Sequence, residues 1–111
     1  MTPEELYKAI SETNNYYENK INELKKSQRY YIQKLLDEWA NENSEYKIGD
    51  IIEANGTIIE IIKINGEYDK YGNYYYPVYY GTVLTKQKKP RKDGMITTIY
   101  GDKGRVITKL K

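Results

Sequence analysis

Five cations crowd into seven residues late in the chain: Lys86, Lys88, Lys89, Arg91 and Lys92, set around Pro90. Just before them runs a stretch holding Tyr74, Tyr75, Tyr76, Tyr79 and Tyr80. Cations beside aromatic rings are the parts of a surface for RNA or single-stranded nucleic acid, because charged groups neutralise phosphates while bases stack on rings. The same residue types also serve plainer ends. A loop rich in Lys and Pro keeps an edge strand from pairing with other chains, and tyrosine rings pack across strands. The formal charge of +2 and pI of 8.6 are modest, since dedicated nucleic-acid-binding domains commonly exceed a pI of about 9.

Catalytic chemistry has little to build on. The chain contains no Cys and no His, which removes thiol nucleophiles, disulfides, Cys/His zinc sites and imidazole bases. Asp37, Glu38 and Glu42 read as the solvated face of a helix end, and Asp50, following Gly49, reads as a turn cap. Gly101-Asp102-Lys103-Gly104 lacks the Lys-Ser/Thr of a phosphate loop and reads as a hairpin turn. The expectation is a non-enzymatic protein with no catalytic residue, no cofactor and no metal site.

These groups must be positioned by a small fold. Of 111 residues, 31% are charged and only 39% apolar on a count that includes 14 Tyr, with a mean hydropathy of −0.88. That composition allows one domain-sized core. No apolar run reaches the ~20 residues of a membrane span and the N-terminus has no signal-peptide core, so a cytoplasmic protein without membrane contact is expected. Asn, Ile, Lys and Tyr, all with A/T-rich codons, make up nearly half of the chain, as in a low-GC bacterium or its phage. Phe shares that codon bias yet is absent. The tyrosines therefore reflect a use for a ring that carries a hydroxyl, which suits half-buried faces and recognition surfaces.

Charge and pattern divide the chain in two. Residues 1–46 carry six basic and nine acidic side chains, residues 47–111 twelve and seven. In the first part Thr2, Pro3 and Glu5 form a helix-start signature, and neither Gly nor a further Pro occurs before Gly49. Tyr7, Ile10, Asn14, Tyr17, Ile21, Leu24, Gln28, Tyr31 and Leu35 recur at spacings of three and four, the seam of a coiled coil or of a helix laid along a partner. This predicts a helical segment over residues 1–45, either a coiled-coil helix or a helical hairpin folded near Thr13-Asn14-Asn15. An uncovered seam requires a second copy of the chain (a homodimer through this helix), a hairpin, or another protein, because isolated helices are marginal in water.

Residues 46–111 read as strands. Asn55-Gly56 is a strong hairpin dipeptide, five Ile between Thr57 and Ile64 favour β structure, and Asn65-Gly66 and Tyr71-Gly72-Asn73 read as further turns. From Tyr74 to Leu84, alternation places Tyr74, Tyr76, Val78, Tyr80 and Leu84 on one face and Tyr75, Tyr79 and Val83 on the other. Pro77 points to an edge or a bulge. Met95–Tyr100 and Arg105–Leu110 complete five strands, predicting an α+β chain: a long N-terminal helix followed by a small five-stranded antiparallel barrel.

The run Lys47-Ile48-Gly49-Asp50-Ile51-Ile52, the turn at Gly56 and the Ile-rich strand after it resemble the opening of SH3-like barrels of the KOW type, over residues 47–84. The tyrosine insertion at Tyr68–Tyr76 departs from that pattern. The layout as a whole, helix first and Tyr79-Tyr80-Gly81 late, is similar to small proteins of phages and mobile elements in Bacteroidota. The resemblance implies an SH3-like β-barrel over 46–111 and an accessory role; it transfers no functional residue. Such proteins act as stoichiometric inhibitors or adaptors of a host protein or ribonucleoprotein, the anti-CRISPR and other anti-defence type among them. On that expectation Lys86–Lys92 and Tyr74–Tyr80 meet the partner, together with the helix face Tyr16, Tyr17, Ile21 and Leu24. The alternative is direct RNA or single-strand binding by the basic loop and its neighbouring tyrosines.

Overall fold

Thr2 starts the chain's helix as its sequence predicts. In the computed structural model, which describes residues 1–111, Thr2 Oγ1 accepts the Glu5 N–H at 3.1 Å and the Thr2 carbonyl accepts the Leu6 N–H at 3.0 Å. Pro3 occupies the first helical position, where its missing N–H costs nothing. The helix, α1 (Pro3–Asn43), runs through Thr13-Asn14-Asn15 without reversing, and Thr13 Oγ1 simply donates back to the Ala9 carbonyl at 2.8 Å. A hairpin at that point does not form. At the other end, the side-chain amides of Asn41 and Asn43 donate back to the carbonyls of Asp37 and Trp39 at 2.8 and 2.9 Å, and Lys47 Nζ donates to the Asn41 carbonyl at 3.3 Å, one of the acceptors that a helix C-terminus leaves orphaned.

The chain divides into two compact units, Met1–Ile32 and Gln33–Lys111. In the first, the helix covers none of its own apolar stripe: Tyr7, Ile10, Tyr17, Ile21, Leu24 and Tyr31 are 50–75% exposed.

The second unit holds the last turns of α1 and a five-stranded antiparallel sheet. Its strands are β1 (Ile51–Ala54), β2 (Thr57–Asp69), β3 (Tyr74–Leu84), β4 (Ile96–Tyr100) and β5 (Thr108–Lys109). Their order is β4-β3-β2-β1-β5, leaving β4 and β5 as the two edges of an open sheet. Asn55 and Gly56 make the β1–β2 turn with φ of 52° and 81°, the positive values that a two-residue hairpin of this kind needs. A β-bulge between Ile61 and Lys63 resolves the dense isoleucine run. Ile59 and Ile61 face the core before it and Ile64 after it, while the extra residue, Ile62, is exposed. One more residue in the strand thus keeps the inward face apolar instead of flipping it.

Asn65-Gly66 is not a turn. Strand β2 continues through it to Asp69, and the chain reverses at Lys70–Asn73. The glycine is needed for a different reason. Strand β1 accompanies β2 only as far as Ile61, whose carbonyl accepts from the Gly49 N–H and whose N–H donates to Asp50. Beyond that point one edge of β2 is open. Gly66 is paired with Pro77, but the backbone groups of the two point away from each other, those of Pro77 toward Gly101 and those of Gly66 toward the open edge. The last turns of α1 fill the open edge. Asp37 Oδ1 accepts the Gly66 N–H at 2.9 Å, Gln33 Nε2 donates to the Gly66 carbonyl at 3.0 Å, and Asn41 Nδ2 donates to the Ile64 carbonyl at 2.8 Å. Gln33 also donates to Asp37 at 2.8 Å, so a polar stripe at four-residue spacing acts as one unit. The approach is so close that a Cβ on Gly66 would overlap the Leu36 carbonyl oxygen.

The core lies between this helix end and the inner face of the sheet, around Ala40, Ile52, Ile59, Ile61, Tyr79 and Ile99, with Trp39 packed at its margin. Pro77 sits in an interior strand, but its carbonyl accepts the Gly101 N–H at 2.8 Å just past the end of β4. Its missing N–H removes only the reciprocal bond to Gly101, at the end of the β3–β4 ladder. Replacing Gly66 by Ala should destabilise the protein by about 2–3 kcal/mol through forced overlap. Asp37→Ala should cost about 1–3 kcal/mol by stranding the Gly66 N–H. Urea unfolding followed by Trp39 fluorescence measures both, and an unchanged midpoint in either variant contradicts this docking.

Candidate binding surface on the sheet

Alternation along β3 sorts the tyrosines. Tyr74, Tyr76 and Tyr80 share the outer face with Val78, and the Val78–Tyr100 pair brings Tyr100 of β4 alongside. Tyr79 points the other way. It is 2% exposed, its ring 5.7 Å from that of Tyr46, and burial pushes its phenol up to about 12. Tyr75 also lies on the inner side, at the margin, 5.8 Å from the Trp39 ring and 4.9 Å from Tyr68. Of the five tyrosines singled out by sequence, three therefore share a surface. Tyr79 is withdrawn into the core and Tyr75 joins the helix-side aromatic cluster.

Three cations border the outer tyrosines. Lys103 Nζ lies 4.6 Å from the Tyr74 ring centre, Lys63 Nζ 5.8 Å from Tyr80, and the Arg105 guanidinium 5.9 Å from Tyr100. The backbone N–H of Lys103 also donates to the Tyr74 hydroxyl at 3.1 Å, which ties the β4–β5 loop to the tyrosine face. Carboxylates are interleaved with these cations. Tyr76 donates to Glu67 Oε2 at 2.7 Å, and that bond, reinforced by burial and by the charges of Glu67, Asp102 and Asp69, raises its phenol pKa well above the ordinary value. Tyr80 is raised by burial first, then by Glu67, Tyr100 and Asp37. Asp102 is paired with Arg105 at 2.9 Å. The surface is thus aromatic and of mixed charge, with carboxylates beside Tyr76 and Tyr80 and cations beside Tyr74, Tyr80 and Tyr100. On the same face, Asn65 Oδ1 beside Val78 is buried and has no hydrogen-bond partner.

Sequence reasoning missed Tyr100, Lys63, Lys103 and Arg105. Tyr100 was visible only as the end of a short strand, and Lys63 as the one cation in an isoleucine run. Their meeting with β3 depends on a register that the bulge sets.

The basic loop follows Leu84, which bridges to Pro90. Lys86, Lys88, Lys89, Arg91 and Lys92 are all exposed. Lys88 adopts a positive φ of 62°, and Arg91 pairs with Asp93 at 2.9 Å. Eight residues of strand separate Tyr76 from Leu84, roughly 26 Å at the rise of an extended chain, before the loop begins. The loop and the Tyr74–Tyr76 end therefore do not form one patch; Tyr80 is the tyrosine of that face nearest the loop in sequence. On α1, Tyr16 and Tyr17 stack edge to face at 5.4 Å with Lys20 over Tyr16, and Ile21 and Leu24 are exposed.

Two shallow cavities open on this unit. One of about 370 Å³ is lined by Asn55 and Asp102–Val106, and one of about 280 Å³ by residues including Ser44, Tyr46, Tyr79 and Arg105. No three acidic side chains converge to hold a metal ion, and no helix is long and apolar enough to cross a membrane. Comparison with protein families, with curated proteins and with solved structures finds no match to this chain.

The β2–β3 turn that carries Tyr74 depends on Asp69. Its Oδ1 accepts the N–H groups of Tyr71 and Gly72 at 2.9 and 3.1 Å. The Gly72 bond above all, with the Tyr71 N–H and the Tyr74 hydroxyl, holds the carboxyl below its usual range against an opposing desolvation. A lowered folded value makes its contribution complete above the unfolded value of about 3.9 and progressively lost as pH falls through the folded one. In NMR titrations the amide signals of Tyr71 and Gly72 should hold steady down to about pH 4 and move below it. Asp69→Asn should abolish that acid transition, and a transition that survives the substitution contradicts the assignment.

Proposed function

We propose that this protein is a non-enzymatic interaction protein acting by stoichiometric docking, with the outer face of the sheet as its docking surface. One observation carries the reading: Tyr74, Tyr76, Tyr80 and Tyr100 lie together among Lys63, Lys103 and Arg105 and among Glu67, Asp69 and Asp102. Tyrosine and arginine are the types enriched at protein interfaces, where rigid rings supply contact area at low entropic cost and interleaved charges set register and orientation. A nucleic-acid strand laid over the same tyrosines would set its phosphates against Glu67, Asp69 and Asp102. The mixed face favours a protein partner.

The five exposed cations of Lys86–Lys92 support a second reading, contact with RNA or single-stranded nucleic acid. Because they lie at the far end of β3 from Tyr74, that contact fits nucleic acid already carried by the partner as well as free strands. A stoichiometric inhibitor or adaptor of a host protein or ribonucleoprotein, of the anti-CRISPR or anti-defence kind and working in the host cytoplasm, unites the two surfaces. The A/T-biased composition supports a phage or mobile-element source. In this reading the sheet is of the SH3-like kind, supported by a meander whose last strand returns beside the first; closing it into a barrel requires the β4 and β5 edges to meet.

The test is a titration of labelled single-stranded RNA and duplex DNA with the whole protein, from about 50 to 200 mM salt, beside two variants. One variant carries Tyr80→Ser and Tyr100→Ser, the other Lys88→Glu, Lys89→Glu and Arg91→Glu. Any nucleic-acid affinity should be weak, abolished by the loop reversal and untouched by the tyrosine changes. Tight binding that falls by several decades with salt and needs the tyrosines would overturn the docking reading in favour of direct nucleic-acid recognition.

A further inference from the structure

The stripe of α1 within Met1–Ile32 is a seam with nothing against it. Asn14, Tyr17, Ile21, Leu24, Gln28 and Tyr31 follow the alternating spacing of a two-helix coiled coil, and Tyr17, Ile21, Leu24 and Tyr31 are 50–70% exposed. Two of the six positions are amides, so whatever covers the stripe must meet them with polar groups. Flanking the seam, Glu18 and Lys25 form no ion pair within the chain.

We propose that a second copy of this chain covers this face, its helix antiparallel, with Ile21 of each copy opposite Leu24 of the other. That register satisfies every position. Asn14 meets Tyr31 and Tyr17 meets Gln28, so each seam amide faces a phenol hydroxyl. Glu18 lies beside Lys25 of the other copy, and symmetry repeats the pair. The two-fold axis falls between Asn22 and Glu23, at the middle of Pro3–Asn43.

The competing arrangements fail on the same residues. A parallel pair sets Lys20 beside Lys25 on both flanks, and like charges at such positions destabilise a coiled coil. Sliding the antiparallel pair by one heptad in one direction opposes Asn14 to Leu24, Glu18 to Glu18 and Lys20 to Lys20. Sliding it in the other opposes Gln28 to Leu24 and Lys25 to Lys25. The pattern of polar layers and the pattern of flanking charge select one register independently. The inference does not depend on what the sheet binds; a dimer would display two sheet faces, and paired sites gain avidity when a partner offers two epitopes.

Sedimentation equilibrium of the whole chain tests it, with circular dichroism to confirm that helix content is retained. Wild type should dimerise. Lys25→Glu and Glu18→Lys should each weaken the dimer about 10-fold by turning two attractive pairs repulsive, and the double variant should recover wild-type affinity. A monomer at every concentration overturns the proposal. So does a dimer tightened by Lys25→Glu, the result a parallel pair would give, or one indifferent to all three variants. Because the chain has no native Cys, cysteines give a second measurement. On mild oxidation, Ile21→Cys chains mixed with Leu24→Cys chains should form the mixed disulfide faster than either variant links to itself; preferential self-linking of Ile21→Cys contradicts the antiparallel register.

Discussion

The backbone of β2 beyond Ile61 is the constraint around which the sheet is arranged. A buried N–H or C=O left without a partner costs as much as a lost hydrogen bond, and here β1 ends too early to supply one. The side chains Gln33, Asp37 and Asn41 supply it instead, binding Gly66 and Ile64 as a neighbouring strand would. Gly66 is the place where the helix backbone comes closest, so the absence of a side chain there and the polar stripe opposite are two parts of one joint. With the edge capped, β2 runs on to Asp69 and carries the long tyrosine half of β3 with it.

That joint also decides which surfaces remain uncovered. The turns of α1 from Gln33 onward are consumed in covering the inner face, where Tyr79 and Trp39 pack. The outer face receives no helix, and its tyrosines keep cations and carboxylates for neighbours. Tyr76 has its hydroxyl tied to Glu67 and Tyr74 its own tied to the Lys103 backbone. These rings are held in place within the chain itself, and rings held so would lose little entropy in the docking proposed above. The N-terminal turns of α1 face the opposite situation, with an apolar stripe and no neighbour within their own unit.

Much of this fold was legible from local residues. Thr2, Pro3 and Glu5 announce the helix start, Asn55-Gly56 announces the first hairpin, and strict alternation separates Tyr74, Tyr76 and Tyr80 from Tyr75 and Tyr79. Asn65-Gly66 misleads because the same dipeptide that suits a hairpin turn also suits a strand against which a helix backbone must press. The difference lies 29 residues away in sequence, at Asp37. The candidate surface was half legible for the same reason. Its β3 tyrosines share one strand and obey its period, whereas Lys63, Tyr100, Lys103 and Arg105 reach it through strand pairing and a bulge, which no local pattern records. The basic loop was conspicuous as a run of like charge, yet its distance from Tyr74 follows from the length of β3 and not from the run itself.

Amide hydrogen exchange at Gly66 tests the joint most directly. On a strand edge with no neighbouring strand, an unpaired amide exchanges at close to the rate of an open chain, whereas one held by Asp37 and shielded by Leu36 opens only when the helix leaves the sheet. The Gly66 amide should therefore be protected to nearly the level of core amides such as those of Ile59 and Val83, and Asp37→Ala should release it ahead of them. A Gly66 amide that exchanges freely in the wild-type protein would contradict the docking of α1 on β2 and the arrangement of surfaces that follows from it.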